Sequence, residues 1–305
     1  MADKDFIIKD GVLVKYIGQG GDVEIPDGVT SIGESAFEEC NSLTAVVIPI
    51  SVTDIGDFAF CGCSSLTSVT MSEGVINIGD GAFDGCSSLI SIILPNSVTR
   101  IGSMAFRCCE MLENIVISDH VTSIDDATFD GCSSLTGVVI PDSVTSIGVY
   151  AFQECSSLVC LVIGKGVKNI DDDAFHRCSS LVRVEIPGSV TNIGNGTFSY
   201  CTSLTNVIIG DGVVNIDDDA FAHCASLATV AIPDSVKSIG IYAFEGCERL
   251  NLVYYKGTAS NWKNIEIGVR NARLKNAKRS YYSETKPIRN GNYWHYDENG
   301  EIAIW

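Results

Sequence analysis

The sequence predicts a repeat solenoid: a right-handed parallel β coil of about ten turns, each 23 residues long, with a cap at both ends. Three observations predict it. Phenylalanine stands at positions 37, 60, 83, 106, 129, 152, 175, 198, 221 and 244, every step being 23 residues. Cysteine follows each Phe by three residues, from Cys40 to Cys247, and leucine follows each Cys by three more, from Leu43 to Leu250. Isoleucine precedes each Phe by five, from Ile32 to Ile239, and valine precedes that Ile by three, from Val29 to Val236.

Residues 141–163 show how one coil is made. Phe152, Cys155, Leu158 and Leu161 recur every third residue, which is neither the helical period nor that of a strand. A chain that turns inward every third residue winds around an axis. The last step, Leu161 to Ile163, is two residues and marks a short strand. Stacked coils pair these strands in parallel at about 4.8 Å per coil, giving roughly 48 Å for ten coils. The parallel connections are expected to be right-handed. No single coil can bury its apolar face alone, so the stack is cooperative. A longer period lies on top: Pro49, Pro95, Pro141, Pro187 and Pro233 are 46 residues apart, and Gly74, Gly166 and Gly212 open a shared Gly-Val-x-Asn-Ile in intervening coils. A pair of coils is the duplicated unit.

The consensus Leu-x-x-Val-x-Ile-Pro-x-Ser-Val-x-x-Ile-Gly-x-x-Ala-Phe-x-x-Cys resembles the BspA-type leucine-rich repeat across residues 25–256. The resemblance implies a leucine-rich-repeat-like solenoid of the kind found on bacterial surface proteins. It implies a non-enzymatic, adhesin-like scaffold that binds proteins of a host or neighbouring cell, placed on the cell surface or secreted. The sequence carries no signal peptide, sorting motif or membrane anchor, which leaves the cytoplasm open as a compartment. The segments Tyr255–Trp262 and Tyr293-Trp294-His295-Tyr296 resemble a terminal module of similar gut-bacterial proteins.

Three parts are expected: an N-terminal β-hairpin cap at 1–24, the repeats at 25–256 and an α+β cap at 257–305. The hairpin is read from Phe6-Ile7-Ile8 and Val12-Leu13-Val14 around Asp10-Gly11. After Tyr255 the register stops. Ala259–Ile265 and Gly268–Ala277 read as short helices, and 291–305 as a second hairpin turning at Asp297–Gly300. Caps are needed because a bare last coil would expose both core and strand edges.

Charge narrows the partners. The net charge is −18, and it is unevenly placed: residues 1–250 hold 11 Lys+Arg against 33 Asp+Glu, whereas 251–305 hold 9 against 5. An acidic body argues against nucleic acid. No apolar run is long enough for a membrane span, so no membrane insertion is expected. An acidic decoy for a basic partner stays open. Of the 13 cysteines, ten form the ladder and Cys61, Cys108 and Cys160 lie off it. Ladder cysteines between Phe and Leu read as small buried hydrophobes rather than disulfides or metal ligands. No cofactor or metal is expected. His176 and His223 read as solvated, and Asp171-Asp172-Asp173 and Asp217-Asp218-Asp219 as duplicated acidic surface. No nucleophile elbow, P-loop or zinc-protease motif occurs. A polysaccharide-active solenoid enzyme is the catalytic alternative, needing two carboxylates across one cleft.

The candidate binding surface lies on the strands. Between the two inward residues of each strand, one points outward. That stripe reads Val47, Thr70, Ile93, Val116, Val139, Val162, Glu185, Ile208, Ala231 and Tyr254, flanked by a column that includes Asn114, Cys160, Arg183 and Asn206. An exposed apolar stripe marks an interaction surface, and these positions vary between coils while core positions do not. Ile93, Asn114, Val116, Val139, Val162, Arg183, Glu185, Asn206, Ile208 and Tyr254 are the candidate site residues, for a protein or glycan ligand or for self-association.

Overall fold

The computed structural model describes residues 3–288, 291–299 and 302–305. The turn residue Gly300 and the first two residues, on which expectations above rest in part, lie outside them. The chain forms a parallel β-solenoid. Each coil carries two strands where the sequence reading expected one. The long strand is the anticipated Val-x-Ile segment, as in Gly137–Ile140 and Cys160–Ile163, paired in register Val138↔Leu161 and Val139↔Val162. The second strand is two residues long and centred on the repeated Ile, as in Ser146–Ile147 and Asn169–Ile170. The third side is a run of turns through the Phe. There the hydrogen bonds run forward: Phe152 N–H donates to the Ala174 carbonyl at 2.7 Å. Two residues flanking each Phe sit in the left-handed region, such as Tyr150 at φ 59° and Glu154 at φ 57°.

The solenoid makes about twelve turns rather than ten. The two extra turns do not keep the 23-residue step. At the N-terminus, Val12–Tyr16 pairs antiparallel with Phe6–Lys9 as a hairpin, but on its other side it pairs parallel with Ser31–Ile32. Leu13 takes the Ile position and Tyr16 stacks on Phe37 at 4.9 Å. At the C-terminus, Glu266–Ile267 pairs with Ser238–Ile239 and Lys278–Tyr282 with Leu252–Tyr255. Insertions lengthen that coil, so the period is lost although the ladder continues. The two expected helices shrink to Ala259–Trp262 and Ala272–Asn276, because Glu266–Ile267 between them is claimed by the short-strand sheet.

The core is a set of columns. All ten repeat Phe rings are fully buried. Neighbouring rings lie 4.7 to 5.6 Å apart, with 2° to 20° between their planes. Parallel stacking at this offset adds roughly 0.5–1.5 kcal/mol per pair beyond burial. From Cys63 to Cys247, nine ladder thiols donate to the Phe carbonyl of the preceding coil at 3.1 to 3.3 Å. All the cysteines are free. The ladder position is therefore both a small hydrophobe and a buried donor.

The 46-residue alternation has a steric cause. A Cβ on Gly74, Gly166 or Gly212 would stand within 2.1 Å of a carbonyl oxygen in the preceding coil. In the coils between, serine occupies this position, and three of the five reach back while Ser51 and Ser189 do not. Ser97, Ser143 and Ser235 donate to the carbonyls of Val75, Val121 and Val213 at 2.6 to 2.7 Å.

Candidate functional site

The outer face of the long strands carries the candidate residues. Pairing aligns them coil over coil: Ile93↔Val116, Val139↔Val162, Arg183↔Asn206 and Glu185↔Ile208. Ile93, Val116, Val139 and Val162 are 75%, 64%, 61% and 48% exposed. Asn114, Arg183 and Glu185 are exposed as well, while Asn206, Ile208 and Tyr254 are half-buried. Asn206 Nδ2 donates to Thr229 Oγ1 at 2.6 Å, tying two coils together.

One stripe residue departs from the expected pattern: Ala231 is buried, at 4% exposure. It is paired between Ile208 and Tyr254, and Tyr254 in turn meets the C-terminal segment. Tyr293–Tyr296 pairs briefly in parallel with Lys278–Tyr282 and antiparallel with Ile302–Ile304. Trp294 packs edge-on against the outward Tyr254 at 5.8 Å and Tyr282 at 5.0 Å, and its Nε1 donates to the Tyr255 carbonyl at 3.2 Å. Two residues on, Tyr296 faces Glu185 and Ile208 across a groove. The tail therefore lies along the Tyr254 end of the stripe. It closes one end of the stripe and leaves Ile93 to Val162 open.

The groove has a volume of about 960 Å³ and lies where the open stripe meets the tail. Val159, Val162, Val182 and Ile208 give it apolar walls; Lys165, Arg183, Glu185, Asp211 and Lys256 supply charge. Lys256 forms an ion pair with Asp211 and sits over the rings of Tyr296 and Tyr282 at 5.7 and 5.9 Å. Burial is the largest single influence and works against the Lys256 charge, but the Asp211 hydrogen bond and charge, together with Tyr296 and Tyr282, hold the ammonium above its ordinary value. Burial also pushes the Tyr296 and Tyr254 hydroxyls up. Four of the candidate residues, Val162, Arg183, Glu185 and Ile208, line this groove; Tyr296, which closes it, lies beyond the repeats, so the repeat pattern carries no sign of that wall.

The long-strand ladder is also broken here. Strands from Gly21–Glu24 to Cys160–Ile163 form one hydrogen-bonded sheet, and those from Arg183–Ile186 onward form another. The other two sides of the coil remain closed at this level: Asn169 pairs with Asn192, and Phe152 stacks on Phe175 at 5.2 Å.

The other polar clusters act within the scaffold. Asp126, Asp172 and Asp218 accept backbone N–H groups of the next coil, from Val149, Asn195 and Ile241, at 2.6 to 2.9 Å. His176 is half-buried rather than solvated, with Nδ1 3.5 Å from Asp173. Burial lowers its pKa, partly offset by that carboxylate. Among the described residues no group of three or more His, Cys, Asp or Glu is placed to hold a metal ion. No helix among them is long and apolar enough to cross a membrane.

The stacked 23-residue coils define a leucine-rich-repeat solenoid. The chain belongs to the BspA type leucine rich repeat region family, whose profile matches residues 18–136 and 122–251 in six copies. Members of this repeat class are non-enzymatic and generally bind proteins. None of the curated proteins matches the chain. Among solved structures, it is similar to the pneumococcal vaccine antigen PcpA at 20% identity and TM-score 0.56, covering 94% of this chain and 88% of that one. It is likewise similar to a leucine-rich repeat protein of Eubacterium ventriosum at 23% identity and TM-score 0.51, covering 95% and 92%. A leucine-rich repeat protein of Bacteroides ovatus matches at 22% identity and TM-score 0.50, covering 92% and 97%. These likenesses establish the fold.

Proposed function

We propose that the protein is a non-enzymatic interaction scaffold, adhesin-like in role, that holds a partner protein on the outer face of its long strands. The observation that carries this is the open stripe Ile93–Val116–Val139–Val162, apolar and half to three-quarters exposed in an acidic molecule. Water-facing strands ordinarily alternate apolar-in with polar-out, and a contiguous apolar stripe is retained where something covers it. Asn114, Arg183, Glu185 and Asn206 supply the polar margin, and Ile208 and Tyr254 continue the stripe toward the tail. The rigid ladder beneath keeps these side chains in place without cost on binding.

The test is capture from bacterial and mucosal lysates by the immobilised chain and by its Ile93→Glu/Val139→Glu variant. Bands retained by the first and lost by the second, with unaltered urea unfolding, support the reading; equal capture contradicts it. Recovery of the chain itself identifies the partner as a second copy, and recovery of a glycoprotein only before deglycosylation identifies a glycan. The excess of 33 Asp+Glu over 11 Lys+Arg in residues 1–250 favours a second reading, an acidic decoy. That reading predicts capture of basic proteins that is abolished by salt and indifferent to the stripe variant.

A further inference from the structure

We infer that the N-terminal edge of the long-strand sheet, at Gly21–Glu24, takes an extended basic segment of a partner protein as an added strand. The segment pairs its backbone with Asp22 and Glu24. Its apolar side chains turn inward beside Val23 and Phe6, and its cations lie next to the carboxylates on the outer face. The inference goes beyond the reading of the apolar stripe, since it concerns another surface and another ligand.

Three observations converge. The first is an open edge. Gly21–Glu24 is the terminal strand of its sheet, paired with Leu43–Ile48 and, among the described residues, with no strand on its other side. Ile25 N–H donates to the Val47 carbonyl at 3.1 Å. Strand alternation therefore turns Val23 toward the same neighbour and the backbone groups of Asp22 and Glu24 toward the free side. No hydrogen bond among the described residues reaches them there. Such an edge is a template for another strand. The second is room beside it. The N-terminal hairpin extends the short-strand sheet, and Tyr16 stacks on the Phe column, but the long-strand side has no equivalent cover. A groove of about 490 Å³ lies there instead, between Asp5 and Phe6 on one side and the strand on the other. Phe6, Tyr16 and Val23 line it, so an inward apolar side chain is taken out of water. The third is charge. Asp5, Asp22, Glu24 and Asp27 line the groove and no Lys or Arg does. Asp22 and Glu24 are exposed at alternate positions on either side of buried Val23, and Asp22 also accepts the Thr44 hydroxyl at 2.7 Å. A cation opposite a carboxylate on a neighbouring strand is stabilising, and a second carboxylate is not. The edge therefore selects a strand that alternates apolar and basic residues.

The probe is a fluorescein-labelled Lys-Val-Lys-Val-Lys-Val peptide amide, titrated against the full chain by fluorescence anisotropy at about 0.15 M salt, where long-range attraction is screened. Two further peptides keep its side chains and charge but carry N-methyl groups, one on the valine nitrogens and one on the lysine nitrogens. The inference predicts saturable binding of the first peptide. It predicts a loss of at least about tenfold for one methylated peptide and not the other, because only one edge of the added strand faces Asp22 and Glu24. Loss at the valines means parallel addition and loss at the lysines antiparallel addition. Glu24→Lys weakens binding at least about tenfold, whereas Glu113→Lys, the same charge change four coils away, leaves it unaltered. Hydrogen exchange shows new protection at the amides of Asp22 and Glu24, a readout independent of any variant. Absence of binding, equal binding of both methylated peptides, or no new protection at those amides overturns the inference. So does an equal effect of the two charge reversals, which would mean attraction to the acidic body as a whole. The Ile93→Glu/Val139→Glu variant keeps this binding, so failure here and failure of the stripe reading are told apart.

Discussion

Cys155 Sγ donates to the Phe129 carbonyl at 3.2 Å, across the boundary between two coils. That carbonyl also accepts the Cys132 N–H of its own coil, at 3.1 Å. One acceptor thus serves two cysteines, one for each lone pair, and the pattern runs the length of the stack. The thiol must stay protonated to make this bond. Burial pushes Cys63, Cys201 and Cys247 up to about 12.

Alkaline pH should therefore unfold the protein. The unfolded thiol titrates near 9.0 and the folded one near 12. Between those values the unfolded chain releases protons that the folded chain keeps, so stability is full below the lower value and falls as pH rises. The fall is roughly 1.4 kcal/mol per pH unit for each ladder thiol. Urea midpoints measured from pH 8 to pH 11 should drop steeply above 9; a flat profile contradicts the buried-thiol ladder. Below pH 9, a thiol reagent should reach the exposed Cys108 and Cys160 first and spare the buried column.

Phe152→Ala leaves a cavity between Phe129 and Phe175, each about one coil away at 5.1 and 5.2 Å. The expected cost is about 3–5 kcal/mol, since pairing on the short-strand and turn sides holds the neighbouring coils apart and keeps them from collapsing into the space. Chemical denaturation with a shift below about 1 kcal/mol would contradict the stacked column.

Two glycines make a paired test of coil contact. A Cβ on Gly166 would stand 1.9 Å from the Asp142 carbonyl oxygen, whereas one on Gly137 finds its nearest neighbour at 3.6 Å. Gly166→Ala should cost at least about 2 kcal/mol through overpacking against backbone, and Gly137→Ala should be close to neutral. Equal effects in thermal unfolding would mean that the coils can shift to admit the methyl.

Much of this was legible in the sequence, because stacking in register converts a repeat into a column. Phe37 to Phe244, the Val-x-Ile strands and the outward exposure of Ile93, Val116 and Val139 follow from spacing alone. What escaped did so for physical reasons. Leu13, Tyr16 and Ile267 occupy solenoid positions, but they reach them through segments of other lengths, so about ten turns were expected where the ladder has about twelve. Ala231 follows the outward alternation and is nevertheless buried, a small side chain on a rung between Ile208 and Tyr254, and the outward position alone does not reveal that. The second lone pair of each Phe carbonyl explains why the column is Cys, and residue spacing carries no trace of that bond. The ladder break between Cys160–Ile163 and Arg183–Ile186 likewise leaves the 23-residue period undisturbed.

The central functional claim is that the long-strand face, and no other side of the coil, meets the partner. The most direct measurement is photocrosslinking from a benzophenone side chain placed at Val116, at Val139 or, on the adjacent short-strand side, at the exposed Thr145. The account predicts a crosslinked partner from Val116 and Val139 and none from Thr145; equal yields from all three, or a crosslink from Thr145 alone, would contradict it.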